Sequence, residues 1–361
     1  MKTVLIISNV TGGLYSFRRE LLEELVKSYR VVILASDNGR VDKMTALGCE
    51  FIPTDLDRHG TNPIQELKLI SLYKKYIRDI KPDIVLTYTI KCNIYAGMAC
   101  AALKVPYVAN ITGLGTALEN PGMLQKIITP LYRRGLRKAQ MVFFQNEENR
   151  DFMLSRKIVK TAWDLLPGSG VSLENYKLLP YPKEDTVHFT FISRVMKEKG
   201  IDQYLDAARY IREKYPNTCF HVCGNCEEDY AQVLQQLHDA GVINYHGRID
   251  DISGMHSISS CTIHPTYYPE GMSNVLLESA ACGRPIITTD RSGCREIVDD
   301  GSNGFVVKQK DSADLIEKVE KFLALTPQQR EAMGIAGRKK VEQQFDRRIV
   351  IEKYLRQISA V

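Results

Sequence analysis

The sequence predicts an α/β protein built of two doubly wound parallel-sheet domains in tandem. Three observations carry this reading. Short β-rich runs alternate along the chain with amphipathic stretches of helical period. The runs are apolar at consecutive positions, so both faces of each strand are to be buried, as in a parallel sheet covered by helices. The length of 361 residues suits about two domains of ~150 residues each.

The first strands are Val4–Ile7, Val31–Ala35, Glu50–Pro53, Ile84–Thr87, Tyr107–Asn110 and Met141–Phe144. Between them lie the helical stretches Tyr15–Lys27, Ile64–Ile80, Ile94–Lys104 and Met123–Arg137. Strand–helix–strand repetition argues for a doubly wound sheet. These elements define a first domain of residues 1–165. Residues 166–186 hold three prolines and two glycines and begin no strong helix, so they read as the linker. A second alternating series fills 187–345. It runs through His188–Ile192, Ile201–Lys214, Cys219–Cys223, Tyr230–Ala240, Ile243–His246, Cys261–His264, Asn274–Cys282, Pro285–Thr288 and Phe305–Val307 to the helices Asp311–Leu323 and Pro327–Phe345. Arg348–Ile358 reads as a last helix, and the segment of about 346–361 is able to pack back on the first domain.

Composition narrows the function classes. With 44% hydrophobic and 25% charged residues the chain is an ordinary globular protein, so disorder, collagen and coiled coil are out. No apolar run approaches the ~18–20 residues that cross a bilayer. Val4–Ile7 is too short for a leader peptide's apolar region and runs into Gly12-Gly13, so the start reads as a strand. Nine cysteines in so long a chain read as reduced thiols rather than a disulfide framework. Charge is uneven. Residues 1–165 hold 24 Lys+Arg against 16 Asp+Glu, and residues 166–361 hold 24 against 27. The basic surface of the first half points to an anionic partner.

Two such domains in tandem create a cleft, and ligands of open α/β sheets bind beyond the carboxyl ends of the strands. The strongest constellation is there, in His264–Glu278. A strand ends in a Pro-containing loop that holds Glu270. Gly271 lets the backbone approach a ligand, and a helix starts near Ser273. Glu278 lies eight residues after Glu270, within that helix and close to two turns on from Glu270. Two carboxylates flanking an anion-binding helix start can grip sugar hydroxyls. The same residues read equally as a loop carboxylate, a cap and a solvated helix position. In Ser193–Gly200, after the second domain's first strand, Arg194 and Lys199 are placed to clamp a diphosphate. A solvated basic loop is the plainer reading. Gly12-Gly13 after the first strand is a turn that can admit a phosphate or sugar, but it is not the dinucleotide fingerprint.

Other signals are weaker. Cys219, Cys223 and Cys226 with His221 read as a core strand and turn rather than zinc ligands, which need a closed set of four. A redox Cys223–Cys226 pair is the remaining alternative. His246 and His264 end strands and read as core histidines. Trp163 is expected to pack near the linker. Two helices carry the basic excess. Residues 67–81 hold Lys68, Lys74, Lys75, Arg78 and Lys81, and residues 125–140 hold Lys126, Arg133, Arg134, Arg137 and Lys138. Each reads as a charged outer face or as a membrane-surface helix. No nucleic-acid-binding motif accompanies the charge.

Taken together, the Gly12-Gly13 pair, Pro167-Gly168-Ser169-Gly170-Val171, the Arg194…Lys199-Gly200 loop, the Glu270/Glu278 pair in EGMSNVLLE and the stretch Ala280–Val306 resemble a family 4 retaining glycosyltransferase of the GT-B fold. That fold is two Rossmann-like doubly wound parallel-sheet domains facing a cleft. The resemblance runs from residue 12 to residue 306 and implies an enzyme of the hexosyltransferase class. Its donor would be a nucleotide-sugar, a UDP-sugar, held by the second domain. It implies Arg194 and Lys199 on the diphosphate, Glu278 on the ribose and Glu270 at the transferred sugar. Gly13, Gly271, Met272, Ser273 and Asn274 would complete the donor site. Arg18, Lys91 and Thr112 would meet the acceptor. Thr112 stands where many relatives carry a His, and a threonine is no general base near neutral pH. Retention by same-face attack needs none, because the leaving phosphate oxygen takes the acceptor proton. Neither a metal nor another cofactor is expected.

YTIKCNIYAG and ANITGLGTAL further resemble bacterial transferases that extend lipid-linked oligosaccharides or build capsular polysaccharide. That implies a lipid-diphosphate-linked glycan acceptor and a cytoplasmic enzyme, peripheral on the anionic inner face of the cell membrane. The competing readings are a non-catalytic nucleotide-sugar or glycan-binding subunit and a GT-B nucleotide-sugar epimerase. The intact Arg194, Lys199, Glu270 and Glu278 argue for the transferase.

Overall fold

The structure is a computed structural model that describes residues 1–54, 63–119, 121–183, 185–249 and 252–361, with the side chains of 63–67 and 116–117 left aside. It divides into two compact units, Met1–Ser169 with Arg347–Val361, and Gly170–Asp346.

Among the described residues the first unit holds a seven-stranded, wholly parallel sheet. Its strands are β1 (Thr3–Val10), β2 (Arg30–Ser36), β3 (Glu50–Pro53), β4 (Ile84–Tyr88), β5 (Tyr107–Ile111), β6 (Met141–Phe144) and β7 (Trp163–Leu165). Their order is β3-β2-β1-β4-β5-β6-β7, so the winding reverses between β1 and β4. Strand β1 shows why the runs are continuously apolar. Leu5 and Ile7 join the core on one face, Val4 and Ile6 the core on the other, and all four are fully buried.

The helix Arg347–Ser359 covers the second of these faces. Val350, Tyr354 and Ile358, spaced one turn apart, are buried there. Tyr354 packs edge-on against Phe143 and receives a hydrogen bond from the Asn110 amide at 2.6 Å. Lys353 pairs with Asp164 at 2.6 Å, and Arg347 pairs with Glu20.

Three local readings change. The Gly12-Gly13 pair makes no separate turn, because β1 passes directly into the helix Thr11–Leu25 and both glycines lie in its first turn. The Asn38 carboxamide oxygen accepts from the Gly12 amide (2.5 Å) and the Thr11 hydroxyl (2.8 Å), so that helix start is supported from the end of β2. Trp163 is 41% exposed on the edge strand β7, where the Arg150 guanidinium covers its ring at 5.4 Å. The helix expected at Ile94–Lys104 begins instead as a π-turn, Cys92–Ala96, before Gly97–Leu103. There the buried Asn93 side chain accepts from Thr87 (2.7 Å) and donates to the Asn110 carbonyl (2.8 Å), tying β4 to β5.

The second unit holds a six-stranded parallel sheet, again of the described residues. Its strands are β8 (Val187–Ile192), β9 (Thr218–Cys223), β10 (Asn244–Gly247), β11 (Cys261–His264), β12 (Ile286–Thr289) and β13 (Gly304–Val307), in the order β10-β9-β8-β11-β12-β13. Phe189, Phe191 and Phe220 fill one face with Tyr204 and Phe322. Thr190 opposes them with a buried hydroxyl cluster, bonding Ser259 at 2.9 Å and Thr262 at 3.3 Å. Here the winding reverses between β8 and β11, so the loops leaving these two neighbours share the switch point. The stretch 166–186 is divided. Residues up to Ser169 go with the first unit, and from Gly170 with the second, where Val171 bridges Asp346.

Within the first unit, the helices Gly97–Leu103 and Met123–Leu136 approach so closely that a Cβ on Gly97 would lie 2.2 Å from the Gly135 carbonyl oxygen. A Cβ on Gly135 would lie 2.6 Å from Ile94 Cα, and Tyr107 donates to that same Gly135 carbonyl at 2.6 Å. Backbone on both sides leaves no flexible group to yield. Gly135→Ala is therefore expected to cost about 2–3 kcal/mol and lower the Tm by roughly 5–10 °C. Thermal unfolding checks this, and an unchanged Tm would contradict the packing described.

Candidate functional site

The loop after β8 is fixed first by backbone. Val195 N donates to Asn225 O at 2.8 Å, Glu227 N returns to Val195 O at 3.0 Å, and Ser193 N donates to Cys223 O. Gly224, at φ +151°, makes this approach possible, since a Cβ there would stand 1.7 Å from Ser193 O. A short 3-10 turn, Lys197–Lys199, then ends at Gly200 with φ +78°. A Cβ on Gly200 would meet Pro265 O at 2.1 Å, so the β8 loop lies directly on the loop after β11. The Glu198 carbonyl holds the two together, accepting from Tyr267 N at 2.9 Å and Thr266 Oγ1 at 3.3 Å.

This brings Lys199 and Glu270 into contact across 71 residues of sequence. Their side chains are 8% and 17% exposed, and the ammonium bonds Glu270 Oε1. It also lies 4.8 Å from the Tyr268 ring centre, with the Arg194 guanidinium 5.3 Å from the same ring. Arg194 reaches Glu227 at 2.6 Å with 40% of its side chain exposed. The site is thus two cations around one aromatic ring, one buried on a carboxylate and one open to solvent. Tyr268 and Glu227 were not singled out in the sequence. The doubled tyrosine before Pro269-Glu270 was the available signal for the first.

Beneath the pair lies His264, fully buried, with neither ring nitrogen hydrogen-bonded among the described residues. Burial, and then the Lys199 charge, hold it well below the usual imidazole range, so it stays neutral. The helix Asn274–Ala281 starts from Ser273, whose extended backbone is its cap. The Ser273 amide is already used, donating to Gly293 O at 2.8 Å. Gly293, at φ +88°, packs under Gly271, where a Cβ would meet the Gly271 carbonyl at 2.8 Å. Met272 is buried and packs with Leu276 and Leu277, so its side chain serves the core. Asn274 and Glu278, one helical turn apart, are half-buried. Those are the groups which this helix start presents.

In the first unit, Gly13, expected at the donor, and Arg18, Lys91 and Thr112, expected at the acceptor, follow the carboxyl ends of β1, β4 and β5. Gly13 is exposed in the first turn after β1, with no atom within 4 Å of where a Cβ would stand. Arg18 is buried, with its guanidinium 5.4 Å from the ring of Tyr88 at the end of β4. Its Nη1 donates to Phe17 O, while its buried Nε has no partner among the described residues. Lys91 directly precedes the π-turn after β4, and Thr112 is exposed just beyond β5.

Residues 180–340 match the family described as glycosyl transferases group 1, and residues 4–146 match glycosyl transferase 4-like. The chain is 24% identical to the N,N'-diacetylbacillosaminyl-diphospho-undecaprenol alpha-1,3-N-acetylgalactosaminyltransferase of Campylobacter jejuni, covering 97% of this chain and 96% of that one. It is 25% identical to the capsular polysaccharide biosynthesis glycosyltransferase CapM of Staphylococcus aureus, over 91% and 89% of the two chains. In fold it is similar to Anabaena HepE, solved in complex with UDP and glucose, at a TM-score of 0.81, 16% identity and full coverage of both chains. The two parallel-sheet domains are those of the GT-B fold. Matched in both halves, the chain belongs to the glycosyltransferases, its first half 4-like and its second half of group 1.

Proposed function

We propose that this glycosyltransferase moves a sugar from a UDP-sugar, with retained anomeric configuration, to a hydroxyl of a lipid-diphosphate-linked glycan. It does so in the cytoplasm, on the inner face of the cell membrane, in the building of a polysaccharide or other glycan. The observation that carries this reading is the Lys199–Glu270 pair with Arg194 beside it, at the switch point of the second sheet. The names of two relatives support it. One acts on a diphospho-undecaprenol acceptor, and one serves capsular polysaccharide. HepE, of the same fold, was solved with UDP-glucose.

The residues divide the work by charge. As the bond from the anomeric carbon to the leaving oxygen breaks, negative charge grows on the diphosphate. Lys199 and Arg194 stabilise that charge, and Lys199 is already buried, so its interaction is little screened. The acceptor oxygen bonds the anomeric carbon on the face the diphosphate leaves, and its proton passes to the departing phosphate oxygen. No protein base is required, which suits Thr112 in the first unit. A diphosphate on Lys199 draws it from Glu270 and turns that carboxylate toward the sugar. Glu278 accepts from the ribose hydroxyls, with Asn274 one turn before it. Arg18, whose buried Nε has unused donor capacity, meets the acceptor with Lys91 and Thr112. Two side-chain cations replace the metal that other diphosphate chemistry uses.

The membrane contact is assigned to the helix Met123–Leu136. Lys126, Arg133 and Arg134 on it, and Arg137 and Lys138 just beyond it, are exposed. So are Met123 (77%), Leu124 (47%) and Ile127 (53%), while Tyr132 and Leu136 are buried in the core. The basic helix Pro63–Ile80 differs. Its Tyr73 and Ile77 are buried, and it exposes no large apolar side chain among its described residues. No helix among the described residues is long and apolar enough to cross a membrane.

Steady-state release of free UDP from donor plus acceptor tests the site. Lys199→Ala and Arg194→Ala are each expected to lower kcat by ~100-fold or more. Glu278→Gln should mainly raise the donor KM, because the ribose is held equally in ground and transition states. Glu270→Gln should lower kcat on saturating donor, and full turnover in that variant refutes its assignment. Activity is expected to persist in excess chelator, and a loss that magnesium or manganese restores would contradict the two-cation scheme. Sedimentation with anionic vesicles should carry the protein down at low salt and release it near ~0.5 M, with little binding to neutral vesicles. Changing Arg133, Arg134 and Arg137 together to Ser should weaken this binding, and equal binding by both proteins excludes the helix as the contact.

A further inference from the structure

The face of β8 and β9 that points away from the phenylalanine core carries chemistry the transfer reaction does not use. In the parallel register His188 stands opposite Cys219, and His221 follows two residues on, on the same face of β9. His188 Nδ1 and His221 Nε2 are 2.9 Å apart, with their rings stacked at 5.2 Å. His221 Nδ1 meets His246 Nε2, also at 2.9 Å. Among the described residues, His188, Cys219 and His221 each offer one ligand atom, all within 4.8 Å of one another.

We propose that His188, Cys219 and His221 form a binding site for a zinc-class divalent ion. Two imidazoles and a thiolate are the ligand set such an ion prefers. In a tetrahedral site two ligand nitrogens stand ~3.3 Å apart, so the 2.9 Å contact needs to open by only a few tenths of an ångström. The sulfur is already oriented, accepting from the Asn244 amide at 3.0 Å. When His221 Nε2 binds the ion, Nδ1–H donates to His246, the outer hydrogen bond that metal-bound imidazoles make. Both imidazoles then stay neutral, each with its proton on the nitrogen away from the ion, and the Cys219 thiol proton is released to solvent. A cavity of about 310 Å³, lined in part by His188, Cys219 and Asn244, provides a way in and room for water as the fourth ligand.

This set differs from the Cys219–Cys223–Cys226 run visible in the sequence. Cys223 packs with Ile192 and Met255, and its thiol is pushed up to about 12 by burial. The ion would cross-link two neighbouring strands near their amino-terminal halves, whereas Arg194 and Lys199 lie beyond the carboxyl end of β8. It has no part in the transfer step, so the site stands or falls separately from the proposed reaction.

Cobalt(II) titration of tag-free protein tests the site, because a thiolate ligand gives a near-ultraviolet charge-transfer band and a tetrahedral ion strong visible bands. One equivalent of cobalt is expected to raise both, and zinc to displace it. Cys219→Ser should abolish the charge-transfer band, and His188→Gln, at a half-buried position, should weaken binding by ~100-fold. Cys226→Ser should leave both unchanged. Circular dichroism establishes that each variant is folded, and zinc should raise the Tm of the wild type but not of Cys219→Ser. A wild type without the thiolate band, or a Cys219→Ser protein that keeps it, overturns the proposal.

Discussion

A parallel strand buried on both faces can keep a polar group only where a neighbouring element supplies its partner. In β1, Val4, Leu5, Ile6 and Ile7 are all fully buried, and in β8 Phe189, Thr190 and Phe191 are. Helices must then cover both sides, and every crossover must return to start the next strand at the same end. Room for a ligand of some size is left at the strand ends, above all where the winding reverses. In the first unit that is between β1 and β4, and in the second between β8 and β11. Arg194, Lys199 and Glu270 lie in the loops that leave β8 and β11.

The Lys199–Glu270 pair shows what such a loop position costs and permits. An ammonium with 8% of its side chain exposed is tolerable only beside a counter-charge, and losing one partner of a buried pair typically costs ~3–5 kcal/mol. The pair is held by features that carry no charge. Gly200 lets the β8 loop touch Pro265, Gly224 lets the turn after β9 touch Ser193, and the Glu198 carbonyl joins the two site loops. Arg194, by contrast, is partly open and shared between Glu227 and Tyr268. One cation is thus preorganised and the other adaptable, a combination suited to a ligand that enters as a dianion and leaves carrying more charge.

Much of the fold was legible because period and length are local properties. Most of the strands stand as apolar runs, β10 (Asn-Tyr-His-Gly) being an exception, and Val350, Tyr354 and Ile358 mark a buried stripe. What was not legible depends on distant partners. Strand β7 is only three residues long and holds an aspartate at its centre, too short a run to read as a strand. It forms because β6 has an edge to pair. The glycines at 12 and 13 look like a turn, yet Asn38 reaches across from the end of β2 to support a helix start there. The Ser273 amide looks available until Gly293 is brought beside it. Arg194 and Lys199 could be singled out from position alone, but that Tyr268 lies between them is a fact of two loops meeting. The His188–Cys219–His221 group is the extreme case. Its members alternate along two strands, and only the pairing register places them on one face.

The charge asymmetry separates two kinds of recognition. Residues 1–165 carry an excess of eight positive charges and residues 166–361 a deficit of three. Exposed charge acts over about a Debye length, ~8 Å at physiological salt. A membrane surface is broad and needs no fixed geometry, so the spread of exposed cations over 126–138 suits it, and Met123, Leu124 and Ile127 add apolar contact at one end. A nucleotide-sugar is small and must be held to fractions of an ångström. On the proposed function, the second half offers it no net attraction, and it is met by one buried cation and one partly open cation on the site loops. Such a unit gains little by field and much by contact, which favours selectivity for a diphosphate over other anions. On the proposed function, the basic surface and the buried lysine therefore answer to different partners, and the sequence keeps them in different halves of the chain.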